Sequence, residues 1–213
     1  MRYLALLIAV VVIGSCNSDK PKYVEIETDF GTMKVVLYDE TPIHRDNFIK
    51  LVDEGFYDDL LFHRVIKQFM IQGGDPNSKD APQGQRLGSG GPGYTLEAEI
   101  GAPHIRGTLA AARTGGASNP EKRSSGSQFY IVHGRKYSDA ALDGLQGQKG
   151  ITYNETQRVL YKERGGTAEL DMDYTVFGEV IEGFEVIDEI ALVQTDPSNR
   201  PVEDVGMKIR VIK

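Results

Sequence analysis

The sequence predicts a mainly-β domain, a closed β-barrel whose open ends are covered by two helices. Three observations carry this reading. Short runs with strand alternation recur from Tyr23 to the C-terminus, and only two long stretches carry helical periodicity. The 24 glycines, ten tyrosines and eight phenylalanines suit a fold of many turns around aromatic packing. In 213 residues there is neither an internal repeat nor a composition break to mark a second domain.

Taken in order, YVEIET alternates, FGT supplies a turn and MKVVLY follows, so Tyr23–Tyr38 reads as a β-hairpin. The next stretch, TPIHRDNFIKLVDEG, reads as a helix. Thr41 takes the N-cap, Pro42 the first helical position, and Gly55 the end. Ile43, Asn47, Phe48, Leu51 and Val52 would form its apolar face. FHRVIKQFMIQGGD follows, then a Gly/Pro-rich loop from Gly73 to Gly93. GTLAAAR and SQFYIVH are two strands around a polar loop containing Asn119-Pro120. YTVFGEVI is a strand, GFEVIDEIALV the second helix, and GMKIRVIK the terminal strand.

Residues 134–168 are too long for a plain loop between two strands and read as an insertion. One short helix is expected in it: Asn154 and Gln157 have capping-box spacing, Val159 and Leu160 are apolar, and Gly165 stops the run. A surface loop without structure is the alternative.

The N-terminus, MRYLALLIAVVVIGSC, places Arg2 before an apolar run from Leu4 to Ile13, then Gly14, Ser15 and Cys16. The run is short for the ~20 residues of a membrane span and suits a secretory signal. Ile-Gly-Ser-Cys at its end resembles a bacterial lipoprotein signal. That resemblance implies removal of residues 1–15, lipidation of Cys16, a tether over 16–22, a domain over 23–213, and a place on a membrane of the cell envelope. Cys16 is the single cysteine, so an intrachain disulfide is excluded. With 31 acidic against 24 basic residues and net charge −7, nucleic acid is not an expected partner.

The usual catalytic constellations are missing. The four histidines, at 44, 63, 104 and 133, have neither metal-ligand spacing nor cysteine partners, so no metal is expected. GSGGPG at 88–93 lacks the Lys-Ser/Thr of a phosphate-binding loop and reads as a turn; Ser124, Ser125 and Ser127 lie in no nucleophile elbow. What stands out is polar content inside FHRVIKQFMIQGGD. Strict alternation places Arg64, Met70 and Gln72 on one strand face and Phe69 on the other. A break or bulge near Lys67-Gln68 would let Phe69 and Met70 face one cavity, with a cation and an amide at its rim.

Together with GTLAAAR, SSGSQFYIVH and LDMDYTVFGEV, that stretch resembles the cyclophilin family of peptidyl-prolyl cis-trans isomerases, from Tyr23 to Lys213 except the insertion. The resemblance implies a closed eight-stranded antiparallel β-barrel capped by two α-helices. It implies that Arg64 is the catalytic arginine and that Gln72 bonds the substrate backbone and helps hold it. Phe69, Met70, Tyr130 and Leu170 would wall a proline pocket, with Tyr130 where the family usually has Phe. Gln128 and Ala112 would line the groove. Arg113 stands where Asn is usual, at a position that works through its backbone. Tyr174 replaces a pocket His, and Glu169 replaces a Trp that favours cyclosporin binding, so weak cyclosporin sensitivity is expected. The implied partners are proline-containing polypeptides; no cofactor is expected, and the chain is read as monomeric. A cyclophilin-fold binding module for extended chains is the alternative reading, and the intact Arg64 favours the enzyme.

Overall fold

The computed structural model describes residues 22–212; the signal, Cys16 and the tether through Pro21 lie outside the described residues. β1 (Lys22–Thr28) and β2 (Gly31–Leu37) form the expected hairpin, pairing from Lys22↔Leu37 to Thr28↔Gly31. Val24, Ile26, Met33, Val35 and Leu37 alternate into the core.

α1 (Pro42–Asp53) follows, with two departures from the sequence reading. Thr41 sits at the N-cap position without capping; the Glu99 carboxylate instead accepts from the Ile43 and His44 amides at 3.1 and 2.9 Å. A distant acidic residue thus meets the free N–H groups and complements the helix dipole. Ile43 is exposed, and the buried face is His44, Phe48, Leu51 and Val52, because His44 turns inward to the same carboxylate at 2.6 Å.

β3 (Leu60–Leu61), β4 (Arg64–Ile66), β5 (Met70–Gly73), β6 (Thr95–Leu96), β7 (Thr108–Ala111), β8 (Ser124–Ser125) and β9 (Phe129–Val132) precede the insertion. After it come β10 (Val176–Glu182), a helix over Phe184–Ala191 and β11 (Gly206–Ile212). β6 and β8 pair separately. The other strands form one antiparallel nine-stranded sheet in the order β3-β11-β1-β2-β10-β7-β9-β5-β4. The expected closed eight-stranded barrel is therefore corrected to a curled half-barrel of nine strands. Its edges, β3 and β4, are consecutive in the chain and joined through Phe62 and His63 rather than by a ladder. The concave side holds the main core, where Phe48 meets Tyr57, Phe129 and Phe177 at centroid distances of 5.0, 5.5 and 5.4 Å.

The insertion holds two helices where one was expected: α2 (Asp139–Lys149) and α3 (Glu155–Glu163), so the described residues contain four α-helices, the last being α4 over Phe184–Ala191. α2 is poorly marked because Gly144 and Gly147 weaken its propensity, although Ser138 caps it by accepting from the Ala141 amide. The Asn154–Gln157 capping box forms in both directions, at 2.9 and 3.0 Å. The buried residue of α3 is Tyr161 rather than Val159 or Leu160; it packs with Tyr137, Leu142, Tyr153 and Ala168 of the insertion and with Ile105 in a second, smaller core. The ends of the insertion meet at a bridge between Arg135 and Gly166. A Cβ on Gly134 would lie 2.5 Å from the Gly166 Cα, so this close approach needs glycine.

Candidate active site

The site is built on the convex face of the sheet, by the side chains that alternation turns away from the core. β4 and β5 form a tight hairpin in which Arg64 pairs with Gln72 and Ile66 with Met70, while Val65 and Ile71 point into the core. Lys67–Phe69 close it, with Gln68 at φ 61° and the Phe69 amide donating to the Ile66 carbonyl at 3.0 Å. The break expected near Lys67-Gln68 is thus a complete reversal of the chain. Phe69, lying in the loop, is freed from strand alternation and joins the Met70 face; His133 and Gly134 amides hold its carbonyl at 3.1 and 3.0 Å.

Across the sheet, β9 contributes Tyr130 and β7 Ala110 to the same face, where they pack with Met70, Val132 and Val176. Phe69, Ala112, Leu170 and Tyr174 complete the apolar lining. Tyr130 and Tyr174 meet edge to face at 5.9 Å. The result is a cleft of about 370 Å³ lined by Arg64, Phe69, Met70, Gln72, Ala112, Arg113, Tyr130, Leu170 and Tyr174 among others. Gln128 lines an adjoining cleft that shares Gln72, Ala112 and Arg113. All ten residues expected at the site are therefore brought together.

Their polar atoms form a directed chain. Arg64 Nη1 donates to Gln72 Oε1 at 3.1 Å, Gln72 Nε2 to Gln128 Oε1 at 3.1 Å, and Gln128 Nε2 to the Gly90 carbonyl at 2.7 Å. Each amide is oriented by the next, so the guanidinium is held from behind while its remaining donors face the cleft. Arg64 is half-buried, its guanidinium 5.9 Å from the Phe69 ring centroid, and no carboxylate among the described residues lies within 4 Å of it. Burial lowers its proton affinity, yet an arginine stays charged in proteins.

Arg113 acts with more than its backbone: Nε donates to the Asp173 carbonyl at 2.7 Å and the guanidinium lies 4.6 Å over the Tyr174 ring, fixing that wall. The sequence reading missed the rim formed by Gln85–Gly88, Asp196, Ser198 and Arg200. Arg200 is buried and donates to the Ala81, Pro82 and Gln85 carbonyls, tying the Gly/Pro-rich loop to the segment before β11. No local motif marks such a loop-to-loop tie. The GSGGPG turn also takes part, since Gly90 ends the amide chain.

The match to known proteins agrees with this geometry. The family model for cyclophilin type peptidyl-prolyl cis-trans isomerase/CLD matches residues 23–211. The chain belongs to this family. Among relatives of this cyclophilin, a putative peptidyl-prolyl cis-trans isomerase of Staphylococcus haemolyticus is 33% identical over 183 residues, covering 85% of this chain and 86% of that protein. A putative bifunctional phosphatase/peptidyl-prolyl cis-trans isomerase of Streptococcus pyogenes is 38% identical over 197 residues, 89% of this chain but only 38% of that longer protein. A crystal structure of a Cryptosporidium parvum cyclophilin type peptidyl-prolyl cis-trans isomerase superposes with TM-score 0.64 at 26% identity, covering 91% of this chain and 99% of that one. A second crystal structure of that cyclophilin, obtained in the presence of the dipeptide Ala-Pro, gives 0.63.

One departure of this cyclophilin from its family has a measurable consequence. Glu169 stands where a Trp is common, and its carboxylate is held by Arg135 and the Tyr137 hydroxyl of the insertion. An apolar macrocycle would meet a committed charge there in place of an indole. Cyclosporin is expected to inhibit weakly, and Glu169→Trp to tighten inhibition about tenfold, equivalent to ~1.4 kcal/mol. An inhibition titration on both proteins checks this; tight inhibition of the unsubstituted chain contradicts it.

Proposed function

We propose that this cyclophilin accelerates rotation about X-Pro bonds with Arg64 as the catalytic residue, acting on envelope polypeptides from a lipid anchor at Cys16. The observation that carries the catalytic part is the Arg64 guanidinium: half-buried, braced by Gln72 at 3.1 Å and free of carboxylate partners among the described residues, beside the walls of Phe69, Met70, Tyr130 and Leu170.

Isomerisation breaks no covalent bond. The obstacle is amide resonance, a barrier of about 18–20 kcal/mol. At the twisted transition state the prolyl nitrogen becomes pyramidal and regains a lone pair. The guanidinium donates to that lone pair, a bond the planar ground state does not offer, so the transition state gains more than the substrate does. The apolar walls grip the proline ring and exclude water, whose polarity favours the planar amide. Gln72 holds the arginine and offers its amide to the substrate backbone. An acceleration near 10⁵ requires roughly 7 kcal/mol at about 1.4 kcal/mol per tenfold. The test is turnover of a proline-containing peptide by the purified chain; a folded protein without turnover refutes the reading.

The anchor rests on the order of residues: Arg2, the apolar run Leu4–Ile13, Gly14, Ser15, Cys16, then a short polar tether before β1. Several acyl chains on one cysteine hold firmly where a single chain binds marginally. Cys16→Ser is expected to move most of the protein from the membrane to the soluble fraction with isomerase activity intact. Fractionation and the mass of the N-terminal peptide measure both; an unchanged distribution contradicts the anchor.

A further inference from the structure

The insertion reaches the proline pocket through a continuous buried hydrogen-bond chain. Tyr130 brings a hydroxyl to a wall where the family usually has a phenyl ring, and this side chain is 4% exposed. An unpaired hydroxyl there would be costly, and it is paired: Tyr130 Oη lies 2.9 Å from His104 Nε2, with the two rings stacked at an interplanar angle of 13°. His104 is fully buried, and its Nδ1 lies 2.9 Å from Asp171 Oδ1, which also accepts from the His104 backbone amide at 2.7 Å. The second carboxylate oxygen, Oδ2, accepts from the Tyr161 hydroxyl at 2.5 Å.

The chemistry assigns the direction of the bonds to Asp171. A carboxylate only accepts, so Tyr161 O–H and His104 Nδ1–H donate to Asp171. Nε2, the other ring nitrogen, is left to bond the Tyr130 hydroxyl at 2.9 Å. The hydroxyl is thereby turned away from the cleft, which meets the ring alone. Its bond fixes the ring where a phenyl group would be held by packing only.

A second contact reaches the Leu170 segment of the wall. Lys149, at the end of α2, donates to the Glu169 carbonyl at 2.7 Å and to the Asp171 carbonyl, on either side of Leu170. Both helices of the insertion thus converge on pocket residues.

We propose that the insertion is a brace for the proline pocket, with Tyr161, Asp171 and His104 as positioning residues that act on Tyr130. This rests on the cleft being the proline site. Tyr130 grips the proline ring alike in the planar and twisted states, and a loosened ring still excludes water, so loosening it weakens binding without changing the step that Arg64 drives.

The experiment is a double-mutant cycle on kcat and KM, using the full chain and a proline-containing peptide. Y161F keeps the ring and removes the hydroxyl that orients Asp171. It is expected to raise KM about fivefold with kcat unchanged. In a Y130F background, where the chain has lost its last member, Y161F is expected to add nothing. Equal effects in both backgrounds, or a lower melting temperature with KM unmoved, overturn the proposal. A wild-type chain that binds the peptide without turning it over refutes the isomerase reading instead, and the same cycle is then read on Kd. Should Y161F fail to fold, NMR on the unsubstituted protein decides. A slowly exchanging Tyr130 hydroxyl proton and a hydrogen-bonded Nδ1–H on His104 are expected, and absence of either overturns the chain.

Discussion

Arg64→Ala is expected to lower kcat/KM by about 10²–10³, the usual cost of removing one preorganised donor aimed at charge that develops in the transition state. The loss should fall on kcat, because the walls of Phe69, Met70, Tyr130 and Leu170 still hold the proline ring. Fold stability should change little: Arg64 is only half-buried, and its one side-chain hydrogen bond among the described residues, to Gln72, leaves an amide that still donates to Gln128. Arg64→Lys should not restore the rate. An ammonium lacks the planar fork that bonds Gln72 and points further donors into the cleft at once. Single-turnover exchange measured by NMR, beside circular dichroism of each variant, reads both quantities. A folded Arg64→Ala protein that keeps more than about a third of the activity would remove Arg64 from the mechanism.

The second large effect is on stability in acid. His63, beside Arg64, is 4% exposed and neither ring nitrogen has a hydrogen-bond partner among the described residues. Burial pushes its pKa down to about 4; Asp75 and the Leu61 backbone pull the other way without offsetting it, and Arg64 and Arg200 add to the depression. The unfolded chain takes up a proton near pH 6.5, whereas the folded protein resists until about 4. Stability from this residue is therefore complete above pH 6.5, falls as the pH drops towards 4, and is lost below that. The interval corresponds to about 3 kcal/mol, a large share of the 5–15 kcal/mol typical of a domain. Burial also depresses His44 and His133, so both shift stability in the same direction. Urea midpoints between pH 7.5 and 4.5 should fall steeply, and His63→Gln, which cannot titrate, should flatten the curve. A midpoint constant from pH 7 to 5 would contradict this account.

These effects differ in how far they are legible in sequence. Arg64 and Gln72 stand out because polar groups interrupt an apolar strand pattern, and a period-2 pattern assigns them to one face without tertiary information. The hairpin reversal was visible only as a required break: alternation could not place Phe69 with Met70, and Gln68 at φ 61° carries no residue-type signal such as glycine. The cap on α1 was misread because Glu99, more than fifty residues away, outcompetes the adjacent Thr41. α2 was missed because its two internal glycines hide a helix whose support comes from Leu142 packing against Tyr161 and its neighbours.

Strand alternation and the capping box of α3 were legible in the residues themselves, and the short motifs that resemble the family carried over the ten residues that line the clefts. Each of these is written in local chemistry: periodicity, cap spacing and short motifs involve residues near one another in the chain. Tertiary structure alone decided that nine strands curl into an open-edged half-barrel, that Arg200 ties two loops at the rim, and that Tyr161 is linked to Tyr130 through Asp171 and His104. Those features are contacts between segments far apart in sequence, and no residue's type names its distant partner. Packing chooses the partner, because a buried polar group must find one wherever the folded chain happens to place it.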